Sequence, residues 1–273
     1  MMVNKFKIYL PFALNSLKRE LAYKGAFYLF VFISLFSSFI SYFLWMAIYG
    51  SSEGGTLGGL TQNEMIVYIF MVYITTSAVN ISISKEVGMD IVKGEVIMNL
   101  IKPIDYRTSL ISKAMGTSIY RFFVPGIVIW IGLELYKVFE LGMGFTSIVN
   151  ILLFLVSVFM SFLIYVLFDF CFGMIGFFTT YIFGLEMIKH SVLLFLTGQL
   201  IPLSFFPEVV QKIFSYLPFS SMTYTPVMIY LGKYSGMELV KVLLIQFIWI
   251  VLLYLLGSLI WKRVTKRLIS LGG

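Results

Sequence analysis

The chain has 273 residues, 60% of them apolar and 12% charged, with a mean hydropathy of +0.96. Soluble domains carry about a quarter charged residues, so this composition excludes an ordinary water-soluble fold and makes the bilayer the solvent. The net charge of +7 does not argue for nucleic acid, because the cations gather in short runs between apolar segments, the arrangement that sets membrane orientation.

At the N-terminus, LPFALNSLKRELAYKG places Leu10, Leu14, Leu17 and Leu21 at helical spacing opposite Asn15, Lys18, Arg19 and Lys24. Residues 5–24 are read as an amphipathic helix lying on the inner membrane surface; a water-exposed extension of the first span is the alternative. No apolar core followed by a small-residue cleavage site precedes that span, so no cleavable signal peptide is expected.

A span needs about 20 apolar residues, because a helix rises about 1.5 Å per residue across about 30 Å of hydrocarbon. Six spans are read on that rule, at residues 26–49, 64–84, 112–135, 147–170, 187–203 and 238–261. Residues 147–185 are nearly all apolar, too long for one span and short for two, so Asp169 falls either at a helix end or in mid-membrane. Lys5, Lys7, Lys18, Arg19 and Lys24 precede the first span, and Lys262, Arg263, Lys266 and Arg267 follow the last. Both termini are therefore expected on the cytoplasmic side, which requires an even number of spans.

Between spans two and three, DIVKGEVIMNLIKPIDY interrupts the apolar pattern. Gly94 terminates one helix, Pro103 stops the next, and a short helix fits residues 95–101 with Val96, Ile97, Leu100 and Ile101 on one side. That segment is either a docking element or a solvated loop on the headgroups. A second irregular region, residues 198–232, carries Pro202, Pro207, Pro218 and Pro226 at intervals that leave no room for a full span. It reads as one or two short helices in the outer leaflet, capping an internal cavity, or as an ordinary interfacial loop.

Ser77, Asn80 and Ser84 share a face of span two, as glue between helices or as part of a substrate path. Arg121 and Asp169 each cost about 2.5–3.5 kcal/mol at the bilayer centre, so they should pair, snorkel or line water; a pair between the two is one option. Glu186, Lys189 and the single histidine, His190, read as solvated turn residues, with too few neighbouring ligands for a metal. Cys171 reads as a small core residue. The Gly-rich stretch 50–62 follows no strand and is no phosphate cradle, and GxxxxGK[ST] occurs nowhere, so the chain carries no nucleotide site.

YLPFALNSLKRELAYKGAF at 9–27, KGEVIMNLIKPIDY at 93–106 and GQLIPLSFFP with YLPFSSMTYTPVMIYLG at 198–232, set in this layout, resemble permease subunits of ABC-2 type exporters of bacteria. FFTTYIFGLE departs from the Trp and acidic residues expected after span four, which leaves that turn without an inherited role. The resemblance implies an all-α polytopic membrane protein, a single transmembrane domain over 1–273. It would hold six transmembrane helices, the interfacial helix at 5–24, a cytoplasmic coupling loop at 85–107 and an outer-leaflet helical hairpin at 203–232. Gly94, Glu95, Val96, Ile97, Leu100, Ile101, Lys102 and Pro103 would then contact a separate ATPase subunit, expected in two copies. Pro202, Phe205, Phe206, Pro207, Pro218 and Pro226 would form an outer gate. ATP and Mg would sit on the partner, with no catalytic residue, cofactor or metal on this chain. A second permease half is implied, either a non-identical homologue or another copy. The implied function is export of an apolar or amphiphilic substrate across the bacterial cytoplasmic membrane, through a cavity lined by Phe, Met and Tyr. Two other classes are weighed against it. A secondary carrier or channel is disfavoured by few buried ionisable groups and no internal repeat, and a membrane-embedded enzyme by the lack of an acid, base, nucleophile or metal constellation.

Overall fold

A computed structural model describes residues 2–22, 24–52, 55–179 and 181–271. It is an all-α bundle that belongs in a membrane. Five of its described helices are long and apolar enough to cross a bilayer: Val31–Gly50, Gln62–Val92, Tyr106–Phe139, Ile148–Phe177 and Gly236–Lys266.

Helix α1 (Met2–Ala22) does not float free. It packs along α6 (Tyr106–Arg121), where a Cβ on Gly116 would run into the backbone carbonyl of Ala13. The Asp105 backbone N–H donates to the Tyr9 hydroxyl at 2.8 Å and fixes the crossing. Ser16 is buried, whereas Leu10, Leu14 and Leu21 stay exposed. These three leucines thus face away from the bundle. Gly116→Ala is expected to overpack this crossing and lower stability by about 1–3 kcal/mol, read as a fall in the melting midpoint of the detergent-solubilised protein.

Helix α2 (Lys24–Gly50) leads to a minimal hairpin, β1 (Thr56–Leu57) and β2 (Leu60–Thr61). Its two-residue turn is Gly58–Gly59, with φ of 55° and 75°. Both central residues of such a turn need positive φ, which glycine adopts without steric cost. Thr61 then opens α3 (Gln62–Val79) in a reciprocal capping box with Glu64. Thirteen of the residues of α3 are buried, so this helix is the apolar axis of the bundle and has no polar face to turn outward.

After α3 come two short helices, α4 (Ser84–Val92) and α5 (Glu95–Ile101), then α6 and α7 (Ile127–Phe139). A π-helical turn over Phe122–Gly126 joins α6 to α7. Pro125 lies in it, and proline's missing N–H disrupts the regular ladder there. The third span therefore runs longer than expected from sequence. Residues 147–185 resolve into α8 (Ile148–Gly173), a 3-10 turn over Met174–Phe177 and the start of α9 (Ile182–Leu196). One span, α8, takes up the ambiguous apolar run, and Asp169 lies in its last turn and a half.

The expected fifth span is a shorter helix than anticipated. The 15 residues of α9 span about 22 Å at 1.5 Å per residue, less than the hydrocarbon layer. Beyond it the prolines break the chain into a 3-10 turn (Leu203–Phe205), α10 (Glu208–Tyr216), a second 3-10 turn (Ser220–Met222) and α11 (Tyr224–Tyr230). Every residue of α11 from Thr225 to Tyr230 is buried between α3 and α8, whereas α10 has no buried residue. Finally α12 (Gly236–Leu271) packs along α8. Gln246 of α12 is fully buried and donates to the Ser157 and Ser221 carbonyls and to Ser161 Oγ, at 3.3, 3.0 and 3.0 Å. Polar groups in hydrocarbon need such internal partners.

Candidate functional site

The α4–α5 arm stands at one end of the bundle, opposite the hairpin. It is separated from α3 by a break at residues 80–83, where Asn80 adopts φ −78° and ψ 61°. The local sequence explains the break. Thr76 Oγ1 and Ser77 Oγ donate to carbonyls of their own helix, at Val72 (2.8 Å) and Ile74 (2.8 Å), a back-bonding habit that weakens the last turn. Asn80, Ser82 and Ser84 follow, residue types that compete for backbone groups. Ser77, Asn80 and Ser84 therefore do not share one helical face, contrary to the periodicity, because the helix that would align them ends at Val79.

The break exposes the first backbone donors of α4, and Ile83 at its N-cap supplies no side-chain acceptor. Asp169 of α8 supplies it instead. Its Oδ2 accepts from the Ile83 and Ser84 N–H groups at 2.6 and 2.7 Å and from Ser82 Oγ at 3.2 Å. Carboxylate and helix N-terminus are electrostatically matched. Lys189 Nζ of α9 donates to Asp169 Oδ1 at 2.5 Å, to Glu186 Oε2 at 2.8 Å and to Ser84 Oγ at 2.5 Å. Ser84 Oγ donates to Glu186 Oε1 at 2.5 Å. Asp169 is wholly buried and Lys189 5% exposed, so both buried charges have partners. The structure corrects two expectations here. Asp169 pairs with Lys189 rather than Arg121, and Glu186 and Lys189 are members of a buried cluster rather than solvated turn residues; His190 is exposed.

Next to the cluster lies a cavity of about 580 Å³ between α2, α3 and α9. Ser37, Ser38 and Ser41 line it from α2, Tyr68, Tyr73, Thr76 and Ser77 from α3, and Glu186, Lys189 and His190 from α9, with Asn80, Arg121 and Gln199. Met65, Tyr68, Tyr73 and Tyr165 line it with Trp45, Ile69, Val72 and Leu200, so methionine and tyrosine stand where the sequence led one to expect them, interleaved with hydroxyl and amide groups; among the described residues no phenylalanine lines it. The Tyr73 hydroxyl is buried without a hydrogen-bond partner among the described residues. Tyr73→Phe removes only that orphan, so stability is expected to stay level or rise by up to about 1 kcal/mol. A thermal melt checks this, and a loss of transport at unchanged stability would mark the hydroxyl as a substrate contact.

Of the residues in the arm, Gly94 (φ 73°) makes the turn between α4 and α5. Val96 points inward at 1% exposure. Ile97, Met98 and Ile101 are 51%, 64% and 73% exposed, and Glu95, Leu100, Lys102 and Pro103 are exposed as well. The apolar side expected from spacing is thus divided: Val96 anchors α5, and its isoleucines face outward. Asp90 holds the arm to α6, accepting from Asn99 Nδ2 at 3.0 Å and from the Tyr106 hydroxyl at 2.8 Å.

The family model described as ABC-2 family transporter protein matches residues 35–272. The chain belongs to this family. No curated protein matches it. As an ABC-2 family membrane component it is a non-catalytic transport subunit, and among the described residues no group of three or more His, Cys, Asp or Glu is placed to hold a metal ion.

At the hairpin end this ABC-2 chain is densely tied. The Phe205 ring packs tilted against Trp45 with centroids 4.8 Å apart and lies over Gly58, while Lys233 bonds Glu64 at 2.6 Å and the Gly59 carbonyl at 3.1 Å. Pro202, Pro218 and Pro226 are buried, Phe206 is half-buried against Phe214, and Pro207 precedes α10 as its N-cap. Sequence reasoning missed a second polar cluster at this end. Glu134 accepts from Lys137, Thr146 and the Tyr230 hydroxyl, and Trp130 Nε1 donates to Tyr230 at 3.0 Å. The i, i+3 spacing of Glu134 and Lys137 in an apolar stretch was the available signal.

Proposed function

We propose that this chain is the permease half of an ATP-driven exporter in a bacterial cytoplasmic membrane, moved by a separate ATPase subunit that docks on α5. The observation that carries the reading is the outward apolar face of a short helix held beyond the span by Gly94, next to a break that separates it from the core. Two ATPase copies and a second permease half, a homologue or another copy, would complete the assembly. The reading sets both termini and α5 on the cytoplasmic side and counts α9, with the broken segment after it, as a sixth span. ATP and Mg belong to the partner. Pro202, Phe205, Phe206, Pro207, Pro218 and Pro226 cap the far side as an outer gate, supported by the packing of Phe205 on Trp45 and Gly58. The cavity serves as one wall of the substrate path. Its wall sets hydroxyl and amide groups beside Trp45, Ile69, Val72 and Leu200, a mixture that suits an amphiphile with both a polar and an apolar part.

A second reading, an ion-coupled carrier, is favoured by the buried Asp169, Lys189 and Glu186 cluster, since ionisable groups inside a membrane often mark ion paths. One experiment separates the two. The chain is purified from its native membrane with whatever binds it, then reconstituted with and without that partner. ATP-dependent flux that needs a co-purified nucleotide-hydrolysing subunit supports the exporter; flux driven by an ion gradient through the chain alone would falsify it.

A further inference from the structure

We propose that Ser84, Asp169 and Lys189 form a coupling site, a set of positioning residues that ties the α4–α5 arm to the α9 wall of the cavity. The inference rests on the exporter reading above and names the contact through which the arm's motion reaches the substrate path. Three helices, α4, α8 and α9, meet at these side chains. Asp169 holds the α4 N-terminus through the Ile83 and Ser84 N–H groups at 2.6 and 2.7 Å, so α4 cannot swing without displacing this carboxylate or breaking two buried bonds. Lys189 reaches from α9 to both Asp169 and Ser84 at 2.5 Å, and Glu186, one turn back on α9, accepts from Ser84 at 2.5 Å. Lys189 and Glu186 also line the cavity. The same two side chains therefore touch the base of the arm and the space where substrate would sit.

The network has the slack a moving joint needs. An ammonium has three donors, and Lys189 has four acceptors within 3.5 Å: Asp169 Oδ1, Glu186 Oε2, Ser84 Oγ and Ser82 Oγ. Ser82 Oγ in turn lies 3.2 Å from both Asp169 and Glu186. Lys189 can exchange one serine for the other as α4 turns, while both carboxylates keep a donor. A joint with two satisfied arrangements supplies the bistable element that coupling between distant sites requires.

The test uses the whole complex with its co-purified ATPase in nanodiscs, with Cys171 replaced by alanine. Spin labels are placed on α4 (Val92→Cys) or α9 (Ile188→Cys), each paired with α12 (Leu259→Cys), all three being exposed positions. Distances are measured with and without ATP plus vanadate. In the unsubstituted complex both pairs should shift. In the variant with Ser82→Ala and Ser84→Ala together, which removes both exchangeable hydroxyls at the base of the arm, the α4 pair should shift as before while the α9 shift falls below half, with hydrolysis intact. The charge-neutral pair Asp169→Asn with Lys189→Gln should give the same separation of the two shifts, and it covers the case in which one variant fails to fold. Unchanged α9 shifts in both variants, or loss of both shifts together, overturns the coupling site. Absence of any shift in the unsubstituted complex removes the exporter reading itself, and the coupling site with it.

Discussion

Replacing Ile97 and Ile101 with aspartate is expected to strip the ATPase from the purified complex. Full burial of an isoleucine contributes about 1.5–3 kcal/mol, and each 1.4 kcal/mol is about tenfold in affinity. Truncating either residue to alanine should therefore weaken association by one to two orders of magnitude, and two aspartates, which add the desolvation of charge, should abolish it. Because the two side chains are 51% and 73% exposed in the isolated chain, its melting midpoint should not move. Val96 supplies the contrast: it is 1% exposed, so its truncation should lower the midpoint first. Pull-down at a fixed salt concentration measures the first effect and a thermal melt the second. Retention of the ATPase by the double aspartate variant would move the docking surface elsewhere.

The largest expected effect on stability belongs to Lys189→Met. It leaves Asp169 wholly buried with its charge and without its cation, a loss of about 3–5 kcal/mol. Against a typical margin of about 5–15 kcal/mol, that should cut the yield of monodisperse protein on size exclusion and lower its midpoint sharply. Removing both charges together, Asp169→Asn with Lys189→Gln, should recover part of the loss, since the asparagine keeps an acceptor for the α4 N-terminus and the wholly buried charge is gone, while the less buried Glu186 is left without its cation. A single variant as stable as the parent would show that the Ile83 and Ser84 backbone donors alone suffice to hold the Asp169 carboxylate.

Different parts of this molecule were legible in the sequence to different degrees, and the reason is physical. The long spans follow from continuous apolar runs, and α5 follows from Gly94 and Pro103, whose backbone constraints act locally. The broken segment after α9 follows likewise from Pro202, Pro207, Pro218 and Pro226. The joint was not legible because its partners lie far apart in the chain. Asp169 is 86 residues from Ile83 and 20 from Lys189, and only the packing of α4 against both α8 and α9 brings them together. Periodicity also misled: Ser77, Asn80 and Ser84 are spaced as one face of a helix that in fact ends at Val79. Likewise Glu186 and Lys189 look solvated beside His190, until Asp169 is seen facing them. Apolar character alone does not show where a helix stops, so the short α9 has the sequence of a longer span.

The uneven burial of the spans has a consequence for how the chain tolerates change. In the stretch containing α3, 78% of the most apolar window is enclosed by protein, against 12% for α2 and 11% for α12. The enclosed helix is a central mast whose every side meets a neighbour, so even a change of one methylene must be absorbed by surrounding side chains. The two outlying helices are posts standing in oil, where one greasy residue substitutes readily for another. Sequence drift should therefore accumulate on the posts and spare the mast.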